Sequence, residues 1–477
     1  MKRKYIVLFL MTVLFMTLNS CNSWRSSNYK EIKVKSGSKI LFFKDDSLPY
    51  IQFSIMFPKA GSDYDLKDKS GLAQLTAYLL DQGAGGLSSE KLQEELNKLG
   101  TEFSVEVGRQ MAYFSIKGLS WHQEKLYNLF KKIISRPNFE SSEMEILRKQ
   151  FIERRANNLD ESDFVANTIL RNTLFKGPSA KSSIGNLLSL SKIKLEDIKN
   201  FYKKHYIKGN PILMIIGNFD KNIKKSAVSF MNKNFSHEDE DSHSITLPDL
   251  KAQIKLVTNE DLVQAEVRLA YKLFPFPTKN PRQFLIFRLA NTILGSGSMT
   301  SRLFDELREK RGLTYSAHSS VNMGKLYGFF DISGGTKTSS VKEFLKQSLI
   351  ILNKLKKEGV TPKELNTAKQ LTKIYFLVRT ETPADKLYQT VYYNYYLGLD
   401  SNFLDNYTKT IDDISLEEVN KGIKEFILLN PLQIIIYGHP SIKSQLKDMK
   451  NFTLSTVSFK DYFKKELDLI PALSQSK

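Results

Sequence analysis

Two segments of the chain share one pattern, and this repeat limits the possible folds more than any other feature. The segment PILMIIGNFD begins at Pro211, and PLQIIIYGHP begins at Pro431, about 220 residues later. Each is a run of branched apolar residues that ends in a glycine turn, which is typical of a buried strand. Each also follows an amphipathic helical pattern, KLEDIKNFYKKHY or SLEEVNKGIKEFIL. The chain therefore contains two copies of one unit, too few for a solenoid.

The order of predicted elements indicates the fold class. Strand and helix patterns alternate irregularly in both units, without the regular strand–helix–strand order of a parallel sheet. We therefore predict an α+β fold in which each unit carries a mainly antiparallel sheet covered by helices. A stretch that is acidic and poor in apolar residues, from Asn234 to Ala252, separates the two units and is typical of a linker.

The amino terminus has the pattern of a secretory signal. A basic start, KRK, precedes an apolar run from Tyr5 to Leu18 that is short for a membrane span. The following LNSC resembles the lipobox of bacterial lipoproteins, in which the cysteine is acylated. Cys21 is the single cysteine of the chain, so an intramolecular disulfide is excluded. We predict a lipid-anchored protein of the bacterial cell envelope, and Asn22, which is not an aspartate, favours the outer membrane or the periplasmic face.

The composition of the chain limits the kinds of partner that it can have. The 477 residues are 41% hydrophobic and 25% charged, which fits a globular protein with a substantial core. The formal charge of +19 comes largely from scattered lysines, without a long basic block interleaved with aromatic residues. We therefore expect no nucleic-acid partner. A basic chain on a lipid anchor would sit favourably on an anionic bilayer.

Four stretches of the chain match a known family. They are AGSDYDLKDKSGLAQLTAYLLDQGA, LNKLGTEFSVEVGRQMAYFSI, SIGNLLSLSKIKLEDIKNFYKKHYIKGNPILMIIGNFD and, most specifically, LGSGSMTSRLFDELREKRGLTYSAHSS. They resemble the insulinase/pitrilysin-type peptidases, the inverzincins, in the short-chain branch that includes mitochondrial processing peptidase subunits. The resemblance covers Lys33 to Phe452 and implies two peptidase-like domains that form one half of a clam-shell.

These observations together predict the domain organisation. We assign residues 1–21 to a lipoprotein signal peptide with its lipobox cysteine, 22–32 to a tether, 33–235 to an N-terminal peptidase-like domain, 236–252 to the linker, 253–460 to a C-terminal peptidase-like domain and 461–477 to a tail.

The resemblance aligns a zinc-binding helix with the segment that begins at Gly71. Active members carry H-x-x-E-H there, with two histidines on zinc and a glutamate as base on the zinc-bound water. This chain has Gln74, Ala77 and Tyr78 at those positions. A glutamine carbonyl is a poor zinc ligand, tyrosine is neutral near pH 7, and alanine cannot take a proton. We predict a degenerate zinc motif, with no bound metal and no catalytic residue in this chain.

Ligands elsewhere do not replace the motif. In the family, a distant glutamate completes the zinc site, and the matching position falls between Phe151 and Arg155, where Glu153, Arg154 and Arg155 are all candidates. One carboxylate does not make a zinc site. No two of the six histidines lie three to five residues apart. His237 and His243 lie in the acidic linker, where a solvated loop is the simpler interpretation.

The second unit keeps a feature that the first has lost. In the active enzymes, an arginine and a tyrosine seven residues later reach from the second unit to substrate near the metal, and REKRGLTY supplies Arg308 and Tyr315 at that spacing. An arginine fork can bind a peptide carbonyl, and a tyrosine hydroxyl can stabilise an oxyanion. A surface arginine and a strand-opening tyrosine are the alternative. The adjacent Gly295 and Gly297 predict a flexible turn.

The resemblance supports one main function and leaves others open. We predict a non-catalytic, substrate-binding subunit of a heterodimeric zinc peptidase, in which a zinc-bearing homologue supplies the cofactor and cuts the peptide. The alternative is a stand-alone peptide-binding or scaffold lipoprotein that uses the fold without proteolysis. An active peptidase with an unusual metal site is the least favoured hypothesis, because both ligand positions and the base position are replaced.

Overall fold

The computed structural model describes residues 29–236, 245 and 247–469. The predicted signal peptide and Cys21 lie outside the described residues, as do His237, His243 and residues 470–477 of the predicted tail. Among the helices that the structure does describe, none has the length and apolar character needed to cross a membrane.

The first half of the chain builds a six-stranded sheet. Its strands are β1 (Lys30–Lys33), β2 (Lys39–Lys44), β3 (Tyr50–Phe57), β4 (Phe103–Val107), β5 (Ala112–Leu119) and β6 (Ile212–Gly217). Their order in the sheet is β1-β2-β6-β3-β5-β4. All neighbours are antiparallel except β2 and β6. The stretch LNKLGTEFSVEVGRQMAYFSI contains β4 and the first part of β5, which pair as an antiparallel hairpin.

The second half builds a matching sheet. Its strands are β7 (Gln253–Thr258), β8 (Gln264–Leu273), β9 (Thr314–Met323), β10 (Gly328–Lys337), β11 (Gln433–Gly438) and β12 (Thr453–Ser458). Their order is β12-β7-β11-β8-β10-β9. The two repeated apolar runs, β6 and β11, hold the same place in the two sheets and are buried along their whole lengths. The duplication and the α+β class predicted from the sequence are therefore confirmed.

Helices cover both sheets. In the first half they are α1 (Leu72–Tyr78), α2 (Ser89–Lys98), α3 (Gln123–Ser135), α4 (Ser141–Asn158), α5 (Ser162–Leu174), α6 (Leu187–Lys192), α7 (Leu195–Tyr202) and α8 (Lys221–Asn234). In the second half they are α9 (Pro281–Asn291), α10 (Val341–Glu358), α11 (Pro362–Val378), α12 (Pro383–Thr390), α13 (Tyr407–Asp413), α14 (Leu416–Phe426), α15 (Ile442–Gln445), α16 (Phe459–Tyr462) and α17 (Lys464–Leu467).

The two halves exchange helices and so interlock. Helix α5 belongs to the first half, but its apolar residues, such as Val165 and Ile169, pack on β8 and β11 of the second sheet. Helix α12 makes the reverse contact, because Tyr388 meets Tyr113 of β5 edge-on, with 5.0 Å between the ring centroids. Each sheet is therefore covered by its own helices on one face and by a helix of the other half on the opposite face.

Both chain ends differ from the predicted boundaries. Residues 30–32, assigned to the tether, form most of edge strand β1, because they pair with β2 and Ile32 packs on the first core. Residues 461–469, assigned to the tail, lie in α16 and α17 and the turn after them, and the second of these helices packs against α6. Both segments are held by contacts with distant parts of the chain, which local composition does not reveal.

Candidate functional site

A buried carboxyl fixes the start of α1, the helix that carries the degenerate motif. Asp65 accepts hydrogen bonds from the amides of Gly71 (2.8 Å) and Ala73 (2.7 Å), which are free donors at the helix start. Gly71 has a φ of +96°, a conformation that favours glycine. Burial raises the pKa of Asp65 to about 8, although the two amide hydrogen bonds oppose the rise. The loop before α1 thus sets the position of the helix through one side chain.

Internal contacts occupy the three motif positions. Gln74 is 8% exposed, and its amide nitrogen donates a 3.1 Å hydrogen bond to the carbonyl of Val107 at the end of edge strand β4. Ala77 is buried in the first core. The ring of Tyr78 meets Phe151 of α4 edge-on, with 5.7 Å between the centroids. The helix is thus fixed by packing and a neutral hydrogen bond, and these three side chains include no general base for proton transfer.

Helix α4 presents a cation to the interior rather than a carboxylate. Of the three candidates for the distant ligand, Glu153 and Arg154 are exposed, whereas Arg155 is 1% exposed. Arg155 donates two hydrogen bonds of 2.9 Å to the carboxylate of Glu466 in α17. This bidentate ion pair joins residues 311 positions apart in the sequence. It was missed by sequence reasoning because nothing local marks Glu466 as its partner.

The residues at the motif do not fit zinc. An amide, a methyl group and a neutral phenol lie where the family uses two imidazoles and a carboxylate, and structural or catalytic zinc needs three or four N, S or O ligands. Over the described ranges, no group of three or more His, Cys, Asp or Glu side chains is placed to hold a metal ion. His205 instead packs its ring against Phe201, with 4.3 Å between the centroids.

Arg308 and Tyr315 are brought together in the second half. Arg308 lies in a π-helical turn, Phe304–Glu309, and Tyr315 is the second residue of β9. The guanidinium carbon lies 4.8 Å from the ring centroid of Phe304 and 4.8 Å from that of Tyr315. The Tyr315 side chain is 83% exposed. Stacking on two rings orients the guanidinium, so this part of the surface presents an arginine fork beside a phenol.

The segment before Arg308 is rigidly held. Arg302 donates to both carboxylate oxygens of Glu364, at 2.7 and 2.9 Å. Burial opposes ionisation of Glu364, but the hydrogen bonds from Arg302 and Thr361 outweigh it and lower its pKa to about 2. A Cβ on Gly295 would lie 2.5 Å from the hydroxyl of Ser319 in β9. Gly295 therefore permits close packing against this strand, in contrast to the flexible turn predicted for it.

The residues of the degenerate motif and the pair Arg308 and Tyr315 contact different parts of the molecule. The hydrogen bond of Gln74 and the ring contact of Tyr78 stay within the first half, whereas Arg308 and Tyr315 contact each other and second-half neighbours. Within the described part of the chain, no hydrogen bond or ring contact joins the two sets. The pair thus stands apart from the degenerate motif.

A cleft of about 940 Å³, also missed by sequence reasoning, lies between the first sheet and the second half. One wall is the face of the sheet that carries Gln52, Tyr113 and Lys117, and the other includes Arg379 and Tyr388. Its signal in the sequence is the alternation of polar residues along β3, β4 and β5, which leaves one face of the sheet polar.

Comparisons with known proteins agree with the fold and with the family resemblance. The family model described as insulinase (peptidase family M16) matches residues 54–186, and the one described as peptidase M16 inactive domain matches residues 192–372. A peptidase M16 inactive domain from Pseudomonas fluorescens has the same fold, with a TM-score of 0.78 at 24% identity, covering 86% of this chain and 98% of that one.

Curated relatives span nearly the same length. "Non-peptidase homolog YmxG" of Helicobacter pylori is 25% identical over 412 residues, which cover 84% of this chain and 91% of the relative. "Zinc protease PqqE" of the same organism is 24% identical over 431 residues, covering 87% and 95%. The two adjacent domain matches account for most of the duplicated fold. The chain therefore belongs to the insulinase family, peptidase family M16.

Proposed function

We propose that this chain is a non-catalytic, substrate-binding subunit of a two-chain zinc peptidase in the bacterial cell envelope. Its partner is a homologue that carries H-x-x-E-H and holds the zinc. This chain contributes Arg308 and Tyr315 to the peptide bound at the metal of the partner. The partner therefore performs the cut, and this chain orients the substrate.

The proposal rests on one contrast between the two halves. Internal contacts occupy the motif positions of the first half, whereas Arg308 and Tyr315 of the second half are ordered and accessible. Gln74 and Tyr78 are engaged with Val107 and Phe151 and offer no zinc site. Tyr315, by contrast, is exposed next to an arginine that is already oriented. An exposed aromatic ring with an oriented guanidinium suits contact with another molecule better than internal stability.

The names of two relatives support the same division of roles. Helicobacter pylori has one relative named a non-peptidase homolog and another named a zinc protease, and each aligns with more than four-fifths of this chain. Inactive and active members of the family thus occur in one organism. This is the pairing that the proposal requires, although the names do not state that the two proteins associate.

The proposal predicts that the purified chain holds no stoichiometric zinc and cleaves no peptide alone. The reason is that Gln74, Ala77 and Tyr78 supply neither the ligands nor the base. Elemental analysis after dialysis against a weak chelator and turnover of a quenched peptide are the measurements. About one zinc per chain, or turnover by the chain alone, would contradict the proposal.

Co-purification from the native membrane separates the proposal from the scaffold alternative. A peptidase subunit should be recovered with an H-x-x-E-H homologue, and the mixture should contain zinc and cleave the quenched peptide. A stand-alone scaffold should be recovered without such a homologue. The same measurement on the isolated partner shows whether this chain is needed for turnover.

The envelope location gives a second prediction. We expect that Cys21 carries lipid and that residues 1–20 are absent from the mature protein, because an apolar run precedes the lone cysteine. Cys21→Ser should block this processing and shift the detergent partitioning of the protein, because the variant keeps residues 1–20 and lacks the acyl chains. Mass spectrometry of the amino terminus checks both points. A variant that matures and partitions like the original would show that the lipobox interpretation is wrong.

A further inference from the structure

A basic surface in the first half includes two lysines that lie close in sequence to the predicted anchor. We propose that this surface docks directly on an anionic lipid bilayer. It consists of Lys221, Lys225 and Lys233 on α8, together with Lys30 of β1 and Lys35 of the turn that follows. The inference rests on the lipid anchor of the proposed function, and it assigns the face of the protein that meets the membrane.

The charge of α8 is one-sided. The helix contains four lysines and no aspartate or glutamate. Its buried side is apolar and packs on the first core through Ile223, Ala227, Phe230 and Met231. Lys221, Lys225 and Lys233 are exposed on the opposite side. In the described part of the chain, no carboxylate forms an ion pair with any of these three lysines, so their charge is available to an external anion.

Contacts at two points join α8 to the edge of the sheet. At one, the amide of Lys35 donates a 2.9 Å hydrogen bond to the side-chain oxygen of Asn232. At the other, Lys30 is paired in register with Phe42, and the ammonium of Lys224 lies 5.9 Å from the centroid of the Phe42 ring. The helix and the sheet edge that carry these lysines therefore lie side by side.

The short separation from Cys21 brings this surface within reach of the bilayer. Nine residues lead from Cys21 to Lys30, and at full extension they span at most about 30 Å. Attraction between lysines and anionic headgroups acts over a Debye length, about 8 Å at physiological salt. The anchor keeps the basic surface close to the bilayer. At that distance the lysines are attracted to the anionic headgroups, so the anchor and the charge reinforce one another.

A bilayer fits this surface better than a nucleic acid does. Single-stranded nucleic acids bind through aromatic side chains on which bases stack. The single aromatic residue of α8, Phe230, is buried in the core. Point charges on flexible stems, without rings between them, match the diffuse charge of phospholipid headgroups.

The test measures binding of the polypeptide from Asn22 onward, without acyl chains, since this length contains every described element. The probe is co-sedimentation with vesicles of phosphatidylcholine and phosphatidylglycerol at physiological salt. Replacing Lys30, Lys221, Lys225 and Lys233 by glutamine should weaken binding at least about tenfold. The control replaces four exposed lysines of the second half, Lys357, Lys363, Lys421 and Lys424, and should change binding less than about twofold.

Equal losses in the two variants would overturn the inference, because attraction would then follow net charge alone. Equal binding to pure phosphatidylcholine would overturn it as well. The inference would also be overturned if the first variant bound a DNA oligonucleotide more weakly than the original but bound vesicles equally well. Failure of the docking proposal is distinguishable from failure of the lipid-anchor prediction. The Cys21→Ser variant tests processing and partitioning and leaves the lysines of α8 unchanged.

Discussion

Changing Arg308 to alanine, or Tyr315 to phenylalanine, is expected to lower peptide turnover by the two-chain complex by about ten- to a thousand-fold, the range for loss of one oxyanion donor. The arginine fork, held between Phe304 and Tyr315, is aimed before substrate arrives. Such an oriented donor favours the transition state without a further ordering cost. The effect should appear in kcat/KM of the complex and not in assembly.

Matched variants separate this role from general surface damage. Arg311→Ala removes an exposed arginine that pairs with Glu306, and Tyr375→Phe removes a hydroxyl from a partly exposed tyrosine on α11. Both controls should keep full turnover, and all four proteins should bind the partner equally in size exclusion. Full turnover by the Arg308→Ala/Tyr315→Phe double variant would show that the pair is only a surface feature.

The exposure of Tyr315 also argues against a purely structural role. Deleting a hydroxyl from a residue that is 83% exposed should leave the free energy of unfolding almost unchanged, because no buried group loses a partner. A fall in activity without a fall in stability is therefore the signature that the proposal requires. A parallel loss of both would indicate that the contact of Tyr315 with the Arg308 guanidinium holds β9 in place.

Much of the fold was predictable because it is encoded locally. The apolar runs that become β6 and β11, and the hairpin of β4 and β5, depend on patterns of adjacent residues. Which sheet a helix covers is not local. The amphipathic pattern of α5 predicts a helix, but nothing in it shows that Val165 packs on the sheet of the other half.

The candidate site was likewise predictable from the sequence only in part. Spacing and family resemblance identified Gln74, Tyr78, Arg308 and Tyr315, and the structure supplies what each of them touches. The hydrogen bond of Gln74 to Val107 joins two elements 33 residues apart and could not be predicted. Arg308 lies in a short π-helical turn in which the guanidinium stacks on Tyr315, and the sequence spacing alone does not show this contact.

The ion pair of Arg155 and Glu466 gives the largest expected effect on stability. Glu466→Ala should lower the free energy of unfolding by about 3–5 kcal/mol, because it leaves a buried guanidinium without a counter-charge. Arg155 is 1% exposed, and one of its terminal nitrogens already has no hydrogen-bond partner within the described structure. Among the described residues, no carboxylate other than that of Glu466 forms an ion pair with Arg155 and could compensate for the lost charge.

A second variant separates the cost of an unpaired charge from the loss of packing. Replacing both residues, Arg155→Met with Glu466→Leu, should recover most of the stability, since an apolar pair of similar volume needs no counter-charge. Lys465→Gln, at an exposed neighbour in the same helix, is the matched control and should change the free energy of unfolding by less than about 0.5 kcal/mol. Urea unfolding followed by circular dichroism measures all three.

The ion pair of Arg155 and Glu466 also joins the carboxyl-terminal segment to the first half. Its loss should therefore affect this segment more than the rest of the fold. Glu466 also accepts a 3.4 Å hydrogen bond from the amide of Leu187 at the start of α6. Glu466→Ala should therefore free α17 before the rest of the fold opens, and limited proteolysis should cut there first. A variant that unfolds as the original does, and resists cleavage at α17, would show that the surrounding rings of Phe164 and Phe463, rather than the ion pair, hold this segment.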